Sequence, residues 1–191
     1  MAMNLGDLLG MIRQDYLDTW QATANEATGS GGTMMIEPSA TAQAPSFGAV
    51  LWHDLQLNGK ATSVQSEGVF AFDEQISFGW GDALPGQAEP LHVVVRPFAW
   101  DAMPVALKLP QGKALNLEPL GQWLEQWSAE PEPDAVDETS PFREVAHSLT
   151  QTSPTSLHVD MGSAPLDAWQ DLLEALLAAG ATQAIFGGPQ G

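Results

Sequence analysis

The stretch LHVDMGSAPLDAWQDLLEALLAAGATQAIF, Leu157–Phe186, changes its hydrophobic period twice, from two to helical and back. Leu157, Val159 and Met161 alternate with His158 and Asp160, as in a strand with one face buried. After Ser163-Ala164-Pro165, the residues Leu166, Trp169, Leu172, Leu173, Leu176 and Leu177 recur at helical spacing. Gly180 falls where a helix C-terminus needs positive φ, and Ala181–Phe186 returns to strand character. A strand–helix–strand unit of this size fits a right-handed parallel crossover. It fits an edge of an antiparallel sheet equally well.

Upstream, Ser140-Pro141 reads as the start of a short helix with Phe142, Val145 and Leu149 inward, since proline suits a first helical position. Thr150–Ser156 reads as a polar loop. Leu117, Leu120, Trp123, Leu124 and Trp127 mark a further amphipathic helix, capped by Asn116. Before it, Leu91–Arg96 and Val105–Leu109 read as strands, with a turn at Pro110-Gln111-Gly112. Residues 47–80 read as a β-meander. Phe47–Leu57 runs into Asn58-Gly59, a dipeptide suited to the two positive-φ positions of a tight hairpin. Lys60–Gln65 returns, Val69–Phe72 follows, and Ile76, Phe78 and Trp80 share one face.

At the N-terminus, Leu5, Leu8, Leu9, Ile12, Tyr16 and Trp20 define the apolar stripe of a helix. Gly29–Ser46 then turns to Gly, Ser, Thr, Ala and Pro, although Met34, Met35 and Ile36 are able to dock. The expected organisation is an N-terminal amphipathic helix over 1–28, a flexible linker over 29–46, and a main domain over 47–191. The class is α+β, a mainly antiparallel sheet covered by helices. No fixed-period repeat is present.

Lys and Arg number 6 against 24 Asp and Glu, for a formal net charge of -18. Acids stand near half of a usual charged content of roughly 25%, so the chain is acidic because bases are missing. That depletion disfavours nucleic-acid phosphates and anionic membranes, which recruit Lys and Arg, and favours basic protein partners. The absence of Cys removes disulfides, thiolate nucleophiles and Cys-based metal centres. A basic leader followed by an apolar run is not apparent, so a cytoplasmic location is the expectation.

The best candidate for chemistry is a sheet face. Alternation puts His92 and Arg96 on one side of the strand Leu91–Arg96, and His158 and Asp160 on one side of Leu157–Met161. If the two strands are neighbours, the four side chains gather where an imidazole beside a carboxylate shuttles protons and an Arg holds a carboxylate. His53-Asp54 projects to opposite faces of a strand and makes no dyad. His147 reads as a helix-surface group near Glu144. No HExxH, nucleophile elbow, P-loop or dinucleotide fingerprint occurs, so no catalytic residue, cofactor or metal ligand is assigned, and any metal site would have to be assembled by the fold.

The acidic run Glu130, Glu132, Asp134, Asp137 and Glu138 lacks EF-hand spacing and reads as a solvated segment able to steer a basic partner. Trp100, between Pro97 and Pro104, is the tryptophan expected at a binding surface. Three functions follow as expectations. The first is a non-enzymatic interaction module, inhibitor-, immunity- or chaperone-like, for a basic partner. The second is a small-molecule binder or enzyme using the His92/Arg96/His158/Asp160 face. The third is a self-assembling protein whose N-terminal helix exchanges between subunits.

Overall fold

The computed structural model describes residues 5–29, 34–40, 51–62, 64, 75–82, 89–129 and 142–188. In chain order the elements are α1 (Leu5–Gly29), β1 (Met34–Ile36), β2 (Ser39–Ala40), β3 (Leu51–Trp52), β4 (Leu55–Leu57), β5 (Lys60–Thr62), β6 (Ile76–Trp80) and β7 (Leu91–Val95). There follow β8 (Met103–Lys108), α2 (Glu118–Trp127), β9 (Ser148–Ser153), β10 (Ser156–Asp160), α3 (Leu166–Ala178) and β11 (Gln183–Phe186). The class is α+β, with mostly antiparallel sheets. Among the described residues no helix is long and apolar enough to cross a membrane.

The main sheet has six strands in the order β6-β7-β11-β8-β10-β9. Every neighbouring pair is antiparallel except β7 and β11. Along β8, buried Met103, Val105 and Leu107 alternate with exposed Pro104, Ala106 and Lys108, as a sheet covered on one face requires. The stretch that set the fold class forms β10, α3 and β11. Both strands lie antiparallel to β8, which sits between them, so β10 and β11 run parallel and the crossover skips one strand.

Among the described residues, three helices cover the buried face. Leu8, Leu9, Ile12, Tyr16 and Trp20 of α1, Leu120, Trp123 and Leu124 of α2, and Leu172, Leu173 and Leu176 of α3 join one core with Leu91, Val93, Val105 and Phe186 of the sheet. Polar contacts fix the layer. The Trp123 indole donates to Ala168 O at 2.8 Å and the Trp127 indole to Asp171 Oδ2 at 3.1 Å, tying α2 to α3. Arg13 of α1 donates from Nε and Nη2 to Ala164 O and Ser163 O, both at 2.8 Å, just before α3. Asn116 accepts the Glu118 amide at 3.2 Å, although the N-cap position of α2 falls one residue later, on Leu117, which makes no side-chain cap bond.

The hairpin at Asn58-Gly59 forms with both residues at positive φ, 48° and 81°. Its partner is β1, giving a small sheet of order β1-β4-β5, while β6 joins the main sheet instead of extending a meander. Within the stretch read as a linker, Met34–Ile36 therefore pairs with Leu55–Leu57, and β2 pairs with β3. The expected strand Val69–Phe72 lies outside the described residues.

Two expectations need correction. Residues 142–147 do not form a helix, and the polar stretch after them forms β9, antiparallel to β10, in place of a loop. The cause is backbone pairing. The Ala146 amide donates to Trp127 O at 2.8 Å and the His147 amide to Asp160 O at 3.0 Å, and Glu144 takes φ 60°. A helix would need those donors for itself. At the sheet edge β9 tolerates a polar sequence, since only one side of it is paired.

The packing predicts opposite outcomes for neighbouring positions of α3. Leu172→Ala, in the core, is expected to cost about 2–5 kcal/mol, whereas Glu174→Ala, on the exposed side, stays within about 0.5 kcal/mol. Urea denaturation of the two variants checks this.

Candidate functional site

His147 is 1% exposed and sits just before β9, where four other segments converge on it. Tyr16 comes from α1, Glu37 directly follows β1, Asp54 directly precedes β4, and Asp160 ends β10. The Glu37 side chain is fully buried, that of Asp54 is 6% exposed, and that of Asp160 is 27% exposed. The core of the fold thus encloses a charged cluster.

Its geometry centres on the imidazole. His147 Nε2 lies 3.0 Å from Glu37 Oε1. Nδ1 faces two carboxylates, with Asp54 Oδ1 at 3.2 Å and Asp160 Oδ1 at 3.7 Å. Each carboxylate is held from behind. Glu37 also accepts the amides of Arg143 and, at 3.3 Å, Ser163. Asp54 accepts the Tyr16 hydroxyl at 2.7 Å and the Val64 amide. Asp160 accepts the Gly162 amide at 3.0 Å. Trp20 closes one side, its ring edge-on to the imidazole at 5.8 Å between centroids.

Local backbone places these groups. Glu37 takes φ 44°, turning the chain out of β1, and its own amide donates to Asp54 O at 3.0 Å, so the two acids lie side by side. Gly162 takes φ 50°, and a Cβ there would stand 2.3 Å from His147 Cδ2 and 2.6 Å from Val145 O. Only glycine fits, both for its conformation and for the approach of the ring.

Burial alone would lower the pKa of His147, but the contacts with Asp160, Asp54 and Glu37 outweigh it and raise the value well above the ordinary one. Burial would likewise raise Asp54, yet the bond and charge of His147, with Tyr16 and Val64 behind them, hold it below its usual range. Burial, followed by the charges of Asp54 and Asp160, drives the Tyr16 phenol far upward, so Tyr16 stays a neutral donor. Burial lowers Arg13, against the opposing pull of Glu144 and Glu37. Without a cation, both ring nitrogens of His147 are donors, and an imidazolium enclosed in this way has no lone pair to act as a base.

The residues expected from sequence fall elsewhere. β7 and β10 are separated by β11 and β8, roughly 14 Å apart at the usual strand spacing. His92 and Arg96 therefore do not meet His158 and Asp160. His92 Nδ1 pairs with Gln183 at 2.9 Å and Arg96 reaches Gln75 at 3.5 Å. Asp160 alone of the four enters a cluster, with His147 in place of His158. Trp100 is fully buried, so its expected place at a binding surface is corrected. The tight β7–β8 connection, bridged between Ala99 and Ala102, carries Trp100 into the core. The acidic run Glu130–Glu138 lies outside the described residues.

Sequence reasoning missed Glu37, Asp54 and His147 as a group. The local pattern puts His147 on a helix surface, and the absence of that helix is what brings it inside. The available signal is weak: Glu37 follows the apolar run Met34-Met35-Ile36 and His147 follows Val145-Ala146, while Asp54, beside His53, carries no local mark of burial.

His147→Ala leaves buried carboxylates without their cation and is expected to destabilise the metal-free protein by about 3–5 kcal/mol. Tyr16→Phe, which removes one donor to Asp54, is expected to cost about 1–3 kcal/mol. Gly162→Ala is expected to cost at least about 1–3 kcal/mol, because His147 or the Val145 carbonyl must move. Chemical denaturation of the three variants in chelator-treated buffer measures these losses. Comparison with protein families, curated proteins and solved structures finds no match to this chain.

Proposed function

We propose that the protein is a non-enzymatic interaction module that binds a basic protein partner through its helical layer. The observation that carries this reading is the one-sided charge of that layer. Glu26 of α1, Glu118 and Glu125 of α2, and Asp167 and Glu174 of α3 are exposed. The three helices together hold one basic residue, Arg13, and its guanidinium is bonded to the carbonyls of Ser163 and Ala164. Arg143, in a neighbouring segment, lies over the Trp52 ring at 5.7 Å. A surface of one sign attracts a surface of the other over about a Debye length, raising the association rate and setting the choice of partner.

Two observations weigh against chemistry as the main role. The cluster that joins His with carboxylates is walled in by Trp20, Glu37 and Asp54, and the four residues expected to form a reactive sheet face are divided between distant strands. Exchange of α1 between subunits has little to recommend it, since its apolar stripe is already covered by its own chain.

The experiment is capture of partners with the purified protein, followed by affinity measurement with the recovered, purified partner. A partner of high pI, bound about tenfold or more weakly at 300 mM than at 50 mM salt, is expected. The triple reversal Glu118→Lys, Glu125→Lys, Glu174→Lys is expected to slow association by at least about tenfold while leaving stability near that of the parent. Neutralising the carboxylates of Glu130–Glu138 separately tests whether that run adds steering. Affinity indifferent to both salt and the triple reversal would overturn the reading.

A further inference from the structure

Three carboxylates converge on the single imidazole of His147. Glu37, Asp54 and Asp160 are formally three anions, His147 is one cation, and Tyr16 is neutral. The Arg13 guanidinium acts on Glu37 through its charge, but its hydrogen bonds go to the backbone carbonyls of Ser163 and Ala164. Excess charge in a desolvated place is costly unless a further cation is present.

The arrangement of donors matches such a cation. Asp54, His147 and Asp160 each offer one ligand atom, and the three atoms lie within 4.8 Å of one another. The separations from Nδ1, 3.2 and 3.7 Å, bracket the spacing expected between ligands that share a metal at about 2.0–2.2 Å. On the far side of the ring, Nε2 is engaged by Glu37 Oε1, which is itself fixed by backbone amides. A carboxylate on the outer nitrogen of a ligating histidine sets the tautomer and aims the inner nitrogen's lone pair at the ion.

We infer that Asp54, His147 and Asp160 form a binding site for one divalent first-row transition metal ion, of the zinc type, with Glu37 as the positioning residue behind the histidine. Binding exchanges the Nδ1 proton of His147, released to solvent, for the ion. A ring nitrogen with few carboxylates suits this class better than calcium, which takes six to eight oxygens, or magnesium, which keeps its waters. A second carboxylate oxygen or a water supplies the fourth position. The partly exposed Asp160 side chain marks the side from which the ion enters. Because α1, the β1–β4 pair and the main sheet all contribute groups to the cluster, the bound ion is a fastener between the two ends of the chain.

The test uses the full chain, stripped of metal with a chelator and titrated with Zn2+ at 150 mM salt against a competing chromophoric chelator. One equivalent is expected to bind, with a rise in Tm that a hundredfold excess of Ca2+ or Mg2+ does not reproduce. Glu37→Gln is expected to weaken binding about 10–100-fold, and Asp160→Asn by at least about tenfold. In the unaltered protein, the side-chain 15N resonances of one histidine are expected to shift on Zn2+ addition as Nδ1 loses its proton. That readout needs no variant to fold. Zn2+ binding that leaves every histidine resonance in place, or Asp160→Asn binding as tightly as the parent, would assign the ion to surface carboxylates and overturn the site. No stoichiometric binding would overturn it as well, leaving the proton as the cluster's cation.

Discussion

The bond between Glu37 and His147 connects residues 110 positions apart and is closed off from solvent. Beside the apolar stripe of α1, the polar attachment of Tyr16, Glu37 and Asp54 to the main sheet runs through the geometry it sets. Glu37 sits at the turn out of β1, so fixing its carboxylate fixes the end of the small sheet. Its neighbour Asp54 holds β4 and, through Tyr16, the middle of α1. His147 is anchored in turn by its own amide to Asp160 at the end of β10. Breaking a buried, mutually satisfied network of this kind leaves charges stranded in a medium that cannot solvate them. The network therefore specifies where α1 docks more sharply than apolar packing does, because a hydrophobic stripe tolerates sliding and a set of directed bonds does not.

What was legible in the sequence is what local periodicity encodes. Leu8, Leu9, Ile12, Tyr16 and Trp20 face the core as their spacing required, and so do Leu120, Trp123 and Leu124. Asn58-Gly59 turns the hairpin and Gly180 takes φ 91° after α3. These signals need only neighbours in the chain. The segment around Ser140-Pro141 had the same kind of local signal, proline followed by spaced apolar residues, and it misled. There the backbone donors of Ala146 and His147 are taken by Trp127 and Asp160, partners that only the assembled sheet provides. Tertiary pairing overrode a weak helical preference.

The candidate site was illegible for a related reason. Its ligating atoms come from positions 54, 147 and 160, with the outer carboxylate at 37, so no spacing rule connects them. Asp160 was identified, but with the wrong partner, because alternation says which face a residue takes and not which strand lies beside it. Strand order came from β8 and β11 inserting between β7 and β10, a fact of topology with no local trace. Trp100 failed similarly. A tryptophan flanked by prolines looks like an exposed loop residue until the loop is tight enough to turn it inward.

The scarcity of bases links the interior to the surface. A chain with 6 Lys and Arg among 191 residues has few cations available to neutralise buried carboxylates. Here the compensation is built from other donors: the amides of Arg143, Ser163, Val64 and Gly162, the Tyr16 hydroxyl, and one imidazole. Amides and hydroxyls bring dipoles and no net charge, so three acids around one histidine remain over-negative even when every hydrogen bond is made. On the outside the same scarcity leaves the exposed acids of α2 and α3 without a basic residue on their helices, and those of α1 with Arg13 alone, whose guanidinium is bonded to backbone carbonyls. Both regions are therefore short of positive charge, and they differ in what is able to supply it. The enclosed cluster presents an imidazole and two carboxylates within 4.8 Å of one another, whereas the helical layer offers a broad field of one sign, which suits a surface of opposite charge.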